Sequence, residues 1–218
     1  MFDLEQAING RRSTCMFLPD KPVPRELVDE ALELAIRAPS NSNVQPWHLV
    51  LVSGPARDRL VAALLDVAGS KPPRVPPLPE AFEHYRLDVG AEFYGSMGIA
   101  RDDVEGRRIA KLRNWEFFGA PLAGIVCMHR DLHYVDSLGV GMFLQTLVLA
   151  LTARGLGTCV QVAIAGYPEI VREQLNISDE LMTLCGLAAG YSDPDFPANQ
   201  LRMAAMPSRR TWSSSTPS

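Results

Sequence analysis

The chain has 218 residues, of which 47% are hydrophobic and 21% charged, so it is long enough for one sizeable globular domain. Its net charge of −4 argues against nucleic acid or an anionic membrane as a partner. The four cysteines include no Cys-x-x-Cys pair, the spacing expected of structural zinc or of a redox dithiol. The longest apolar stretch is too short to span a bilayer. We therefore expect a cytoplasmic protein with reduced thiols.

The spacing of apolar residues predicts helices that alternate with strands. Leu4 and Ile8 predict an amphipathic helix that ends at Gly10, and Pro24 suits the first position of a second helix. Aliphatic runs bounded by proline or glycine predict buried strands. The predicted helices are 3–9, 24–38, 57–68, 139–154 and 167–175, and the predicted strands are 48–53, 123–128 and 183–189, with a mixed run at 158–164. This order predicts an α/β (α+β) fold with helices on both faces of a sheet.

Proline and aromatic residues are concentrated in the middle of the chain. Residues 69–80 contain so many prolines that regular structure is excluded, which predicts a mobile connection or lid. Aromatic side chains are frequent from there to residue 118, and most of them are expected in the core. Residues 207–218 are rich in Ser, Pro and Thr, which predicts a disordered tail. We expect one domain at 1–206, with 69–118 as the proline-rich connection and aromatic lid region.

The predicted helix at 139–154 is apolar nearly all round. A helix of this kind is buried centrally or shared with another subunit. The sequence therefore leaves open a contact between two copies of the chain.

Two polar clusters are the strongest candidates for a binding site. Arg11 and Arg12, followed by Ser13, offer planar donor groups that suit a phosphate, although an isolated cluster of this kind is more simply a solvated turn. Amide and hydroxyl side chains follow the second predicted helix at 40–45 and can satisfy a polar ligand rim; a helix-terminating turn has the same composition. Backbone amides at 163–166, just before a helix, can also approach a ligand closely.

The order of these motifs resembles the FMN site of the nitroreductase family. The chain has Arg-Arg-Ser at 11–13, Pro-Ser-x-x-Asn-x-Gln-Pro-Trp at 39–47, and Gly-Leu-Gly-Thr at 155–158. The resemblance implies a nitroreductase-like fold, with a central, mostly antiparallel sheet flanked by helices. It also implies an obligate homodimer in which FMN lies at the subunit interface and the 39–47 loop reaches the flavin of the other subunit. Residues 94–121 look most like the nitrobenzoate and nitroaromatic reductase branch.

The resemblance carries specific roles onto this sequence. The implied FMN-binding residues are Arg11, Arg12, Ser13, Pro39, Ser40, Asn41, Asn43, Gln45, Asn114, Gln145, Ala163, Ile164, Ala165, Gly166 and Arg202. A backbone amide at 163–166 is expected to face flavin N5, whereas Asn114 and Gln145 match only roughly and can equally be structural. Cys15 and Ala205 stand where the family usually has cations, so either phosphate affinity is weaker or another residue, such as Arg209, supplies the charge.

The implied function is FMN-dependent reduction of nitroaromatic compounds by NADH or NADPH, in two alternating two-electron (hydride) steps at N5. The aromatic candidates for the acceptor-binding wall and lid are Phe93, Tyr94, Trp115, Phe117 and Phe118. No Gly-x-Gly-x-x-Gly motif follows a strand, which fits a nicotinamide that binds only transiently. We predict no catalytic side chain and no metal site. The alternatives are a flavin reductive dehalogenase, a flavin-destroying relative and a non-catalytic flavin-binding protein.

Overall fold

The computed structural model describes residues 3–203, which form seven α-helices and four strands. The helices are α1 (Leu4–Gly10), α2 (Arg25–Ala35), α3 (Gly54–Ser70), α4 (Glu83–Ser96), α5 (Val104–Leu112), α6 (Ser137–Ala153) and α7 (Pro168–Leu175). The strands are β1 (His48–Ser53), β2 (Leu122–His129), β3 (Gly157–Gln161) and β4 (Leu181–Gly190). Every predicted helix and strand is present. Helices α4 and α5 are additional to the helices that the sequence predicts.

The four strands form one antiparallel sheet in the order β1-β2-β4-β3, which confirms the predicted sheet. At the β3 edge, Ser13 forms a parallel bridge with Thr158. The residues that follow α1 are therefore attached to the end of the sheet.

Helices cover both faces of this sheet, as the sequence predicts. Ile125 and Cys127 of β2 pack in one cluster with Leu60 of α3, and α7 lies beside α3. The alternate residue Val126 packs on the opposite face with Val140 of α6, and α2 lies beside α6. This alternation is the period-two pattern of a strand buried on both faces.

Three of the five aromatic candidates lie in the core. Trp115, Phe117 and Phe118 are only 2%, 0% and 5% exposed, respectively, and pack in the cluster that contains Leu60 and Leu64. The backbone at Phe117 and Phe118 is left-handed, with φ of 52° and 53°, so the chain turns tightly just before β2. The prediction that these three side chains form an acceptor-binding wall is wrong, because protein already covers their rings.

The proline-rich connection has no regular structure at 71–79, as predicted, but it is attached to the start of α7. The Arg74 amide donates to the Gly166 carbonyl (3.0 Å), and the Tyr167 hydroxyl donates to the Lys71 carbonyl. Arg74 also forms an ion pair with Glu169. The beginning of this segment is thus anchored, where we predicted a mobile connection.

Within residues 3–203, no helix is both long and apolar enough to cross a membrane. Cys127 and Cys185 are buried thiols, as predicted. The predicted tail at 207–218, together with Ala205 and Arg209, lies outside the described residues.

Candidate active site

The arginine segment begins where α1 ends against the edge of the sheet. Asp3 and Gln6 form a capping box that fixes the start of α1, and the backbone becomes extended at Arg11. The Thr14 amide then donates to the Thr158 carbonyl (2.9 Å), and the Thr14 side chain is buried. The backbone of residues 11–14 is therefore held between the end of helix α1 and strand β3.

Arg11, Arg12 and Arg202 line one cavity of about 340 Å³. Ser13 and the half-buried Phe93 of α4 also face it. None of the described residues that line this cavity is acidic, and none of the three arginines has a carboxylate partner among residues 3–203. Three guanidinium groups with uncompensated charge make the cavity suited to an anion.

A second cavity of about 200 Å³ shares Arg11 and Ser13 with the first. Gln145 of α6 lines it together with Thr158 and Val160 of β3. The structure therefore brings six predicted site residues together around two neighbouring cavities: Arg11, Arg12, Ser13, Phe93, Gln145 and Arg202.

The polar loop at 39–45 contacts the first turn of α6 and lines neither cavity. The Asn41 side-chain amide donates to Asp136 (3.3 Å), and the Gln45 backbone amide donates to the Ser40 hydroxyl (2.9 Å). The backbone has positive φ at Ser42, Asn43 and Gln45, at 48°, 55° and 52°. Three non-glycine residues with positive φ within four positions are uncommon, and such residues occur preferentially at functional sites. Within one chain, Pro39, Ser40, Asn41, Asn43 and Gln45 are separate from the arginine cavity.

The turn at 162–166 follows directly after β3 and is closely packed on both sides. A Cβ at Gly166 would lie 2.5 Å from Pro73 Cβ, and a Cβ at Gly186 would lie 2.5 Å from Ile164 Cγ1. Only glycine allows such close approach at these two positions. Ala163, Ile164, Ala165 and Gly166 line neither cavity within one chain.

Asn114 and Tyr94 also lie outside both cavities. The Asn114 side-chain amide donates to the Lys111 carbonyl (3.1 Å), so this side chain stabilises the turn in which it lies. The Tyr94 ring lies beneath the Arg107 guanidinium, 4.3 Å away, and packs edge-on against Phe93. Phe93 is therefore the one aromatic candidate, among the described residues, that reaches the arginine cavity.

Two residues outside the predicted FMN-binding set also belong to this region. Cys15 lines the first cavity; the adjacent Cys159 thiol lowers the pKa of Cys15, and burial partly opposes this shift. The pKa of Cys159 is raised, first by its contact with Cys15 and then by burial. Asn199 is buried beside the arginine segment and accepts a hydrogen bond from the Cys15 amide (2.7 Å). Both residues lie within motifs recognised in the sequence, but their contacts were not predictable because the partners are distant along the chain.

No cluster of three or more His, Cys, Asp or Glu residues is placed to hold a metal ion within residues 3–203. The two cavities are lined by arginines, by hydroxyl and amide groups, by the Cys15 thiol and by an aromatic ring.

Comparison with known proteins identifies the family. The nitroreductase family model matches residues 8–191. The chain is 35% identical to 4-nitrobenzoate reductase of Pseudomonas putida, over 92% of this chain and 90% of that protein, and 34% identical to nitrobenzene nitroreductase of Ectopseudomonas oleovorans, over 93% and 92%. The crystal structure of the FMN-dependent nitroreductase NfnB from Mycobacterium smegmatis, in complex with NADPH, superposes with a TM-score of 0.90 at 34% identity and covers 97% of each chain. The chain belongs to the nitroreductase family.

Proposed function

We propose that this protein is an FMN-dependent NAD(P)H oxidoreductase that reduces nitroaromatic compounds. The observation that carries the proposal is the cavity lined by Arg11, Arg12 and Arg202, which has no acidic side chain among its described lining residues. A flavin phosphate is a dianion, and arginine forks are the side chains best suited to bind it. The relatives named above, which act on nitrobenzoate and nitrobenzene by name, support the choice of acceptor.

The residues present fit FMN. We assign the phosphate to the three arginines, and the ribityl chain or the ring edge to Ser13 and Gln145, whose polar groups face the second cavity. When bound, FMN supplies the hydride chemistry, so no acid or base side chain of the protein is required. The backbone amides at 163–166 are assigned the role of stabilising negative charge on the ring.

We further propose that the site is completed in a homodimer. Helix α6 exposes Leu138 and Met142, which are 68% and 40% accessible, and the neighbouring Val160 and Val162 are 43% and 56% accessible. Val160 lines the second cavity, and several exposed apolar side chains in the elements beside a cavity are typical of a protein interface. If this face is buried against a second copy, the 39–45 loop, which lines neither described cavity of its own subunit, can contribute to the site of the other subunit.

The protein's part in turnover is then to position two successive ligands over one face of the ring. With FMN held there, NADH or NADPH would supply the hydride, and a nitroaromatic compound would bind in its place as the acceptor. Phe93 offers an apolar surface for stacking and excludes water from the cavity. The cytoplasmic location stays a prediction.

Removal of one cavity arginine tests the proposal. Arg12→Ala removes a charge-assisted contact worth roughly 1.5 to 3 kcal/mol, so FMN should bind about 10 to 150 times more weakly. Arg101→Ala is the matched control, because Arg101 is exposed and lines neither cavity. FMN affinity is measured by titration of flavin-free protein, and turnover by anaerobic bleaching with NADH or NADPH followed by recovery with a nitroaromatic compound.

The outcomes separate the alternatives. Wild-type protein that takes up no FMN would exclude every FMN-dependent function. Flavin that binds but is not bleached by either nicotinamide would identify a non-catalytic flavin-binding protein. Recovery with a haloaromatic but not with a nitroaromatic compound would favour the reductive dehalogenase.

A further inference from the structure

Asn199 is a buried amide with three hydrogen bonds. Its side chain belongs to a residue that is only 1% exposed. Its Oδ1 accepts from the Cys15 amide at 2.7 Å, and its Nδ2 donates to the carbonyls of Met16 and Asp193, each at 2.8 Å. All three partners are backbone groups. These hydrogen bonds therefore depend on where the two backbone segments lie, and not on which side chains the segments carry.

These contacts join the two segments that carry the cavity arginines. One segment leads from Arg12 to Met16, and the other leads from Asp193 to Arg202, three residues beyond Asn199. The segments already lie side by side, since the Leu18 amide donates to the Tyr191 carbonyl (2.9 Å) and the Asp193 amide to the Met16 carbonyl (3.1 Å). Beyond Asp193 the chain turns away, and the Asn199 side chain holds it against the first segment.

The tether matters because the three guanidinium groups repel one another. Within the described residues, the Arg202 side chain makes one hydrogen bond, from Nη1 to the Asn9 carbonyl at 3.5 Å. That contact is long and its residues are exposed, so it holds the charge only weakly. The backbone position of Arg202 depends more on the buried amide three residues earlier.

We propose that Asn199 is a positioning residue for anion binding: it fixes the backbone of Arg202 relative to Arg11 and Arg12, and so sets the spacing of the three charges around the cavity. The inference rests on the proposed function, in which the anion is the FMN phosphate. Asparagine suits this task because its short side chain presents two donors and an acceptor together. Serine retains one donor and one acceptor, and alanine retains neither.

Discrimination between FMN and riboflavin tests this role, because the two flavins differ only in the phosphate. Flavin-free Asn199→Ser and Asn199→Ala proteins are titrated with each flavin, and the ratio of the two dissociation constants is compared with wild type. We expect the preference for FMN to fall about tenfold, as for the partial loss of one charge-assisted contact, with riboflavin affinity nearly unchanged. General loosening of the fold would weaken both flavins together.

Gln200→Ala is the matched control. Gln200 is the next residue and is exposed, and its side-chain amide makes one hydrogen bond, to the Pro194 carbonyl (2.6 Å). This variant should keep the wild-type preference for FMN. Circular dichroism of each flavin-free variant reports whether it is folded; if Asn199→Ala does not fold, Asn199→Ser carries the test.

A double-mutant cycle with Arg202 shows whether Asn199 acts through that arginine. In an Arg202→Ala background, Asn199→Ser should not lower the preference for FMN any further. Fully additive losses would overturn the inference, as would a folded Asn199→Ser protein with the wild-type preference. Wild-type protein that binds FMN no better than riboflavin would instead overturn the assignment of the cavity to the phosphate, and with it the proposed function.

Discussion

Replacement of Phe117 by alanine tests the finding that the aromatic residues before β2 belong to the core. The Phe117 side chain is fully buried and packs in the cluster that includes Leu60 and Leu64. Phe→Ala substitutions at such sites lower the free energy of unfolding by about 3 to 5 kcal/mol. Since natural domains have only about 5 to 15 kcal/mol in total, this loss is large enough to measure without ambiguity.

The assay is urea unfolding of flavin-free protein at a fixed protein concentration, because dimerisation makes apparent stability depend on concentration. With a urea dependence of about 1 to 3 kcal/mol per molar, the unfolding midpoint should fall by at least about 1 M. Catalytic efficiency toward a nitroaromatic compound, corrected for the folded fraction, should change less than about threefold, because the Phe117 ring is fully buried and lines neither cavity.

Phe93→Ala is the control, because Phe93 is half-buried and lines the arginine cavity. It should cost less than about 1.5 kcal/mol of stability and raise the KM for the nitroaromatic compound. The reasoning would be refuted if Phe117→Ala raised this KM and left the unfolding midpoint at the wild-type value.

Three further predictions follow from named contacts. Gly166→Ala should lower the free energy of unfolding by about 1 to 3 kcal/mol, because its Cβ would lie 2.5 Å from Pro73 Cβ. Gly69→Ala is the control and should not lower it, since its Cβ meets no atom within 4 Å. Equal urea midpoints for the two variants would contradict this packing. Contact with Cys159 lowers the pKa of Cys15, so iodoacetamide should modify Cys15 at a lower pH than it modifies an ordinary thiol. Cys185, whose pKa burial raises to about 11, should stay unmodified. Mass spectrometry detects the modification of each thiol. Raising NaCl from about 0.05 to 0.5 M should weaken FMN binding more than riboflavin binding, because salt screens the arginines; equal weakening would argue against a phosphate contact.

The fold was predictable where burial follows a short period in the sequence. The apolar run at 48–53 is bounded by proline and glycine, and it forms β1 with the predicted bounds. Helix α4 gives no such signal, whereas helix α5 is amphipathic and buries Ala110, a pattern that the prediction missed. Helix α4 buries no residue, and among residues 3–203 its apolar side chains, such as Leu87 and Val89, remain about half exposed. A helix without an apolar stripe facing the core has no period to detect.

The direction in which an aromatic side chain points was not predictable. Phe93 and Phe117 both lie in a segment rich in aromatic residues, yet one lines a cavity and the other is buried completely. At Phe117 and Phe118 the backbone is left-handed, a conformation that bulky residues rarely adopt. The surrounding core imposes it, so the sequence around these residues does not reveal it.

The charges of the arginine cavity were predictable, whereas the group that connects them was not. Arg11, Arg12 and Arg202 each belong to a motif that is recognisable by residue type and spacing, and the structure places all three around one cavity. Asn199 lies within the last of these motifs, but its three partners are backbone groups of Cys15, Met16 and Asp193. A hydrogen bond to the backbone cannot be recognised from residue types, because every residue has a carbonyl and nearly every residue has an amide. Buried amides beside a motif therefore merit mutation alongside the motif's charges, since they determine where those charges lie.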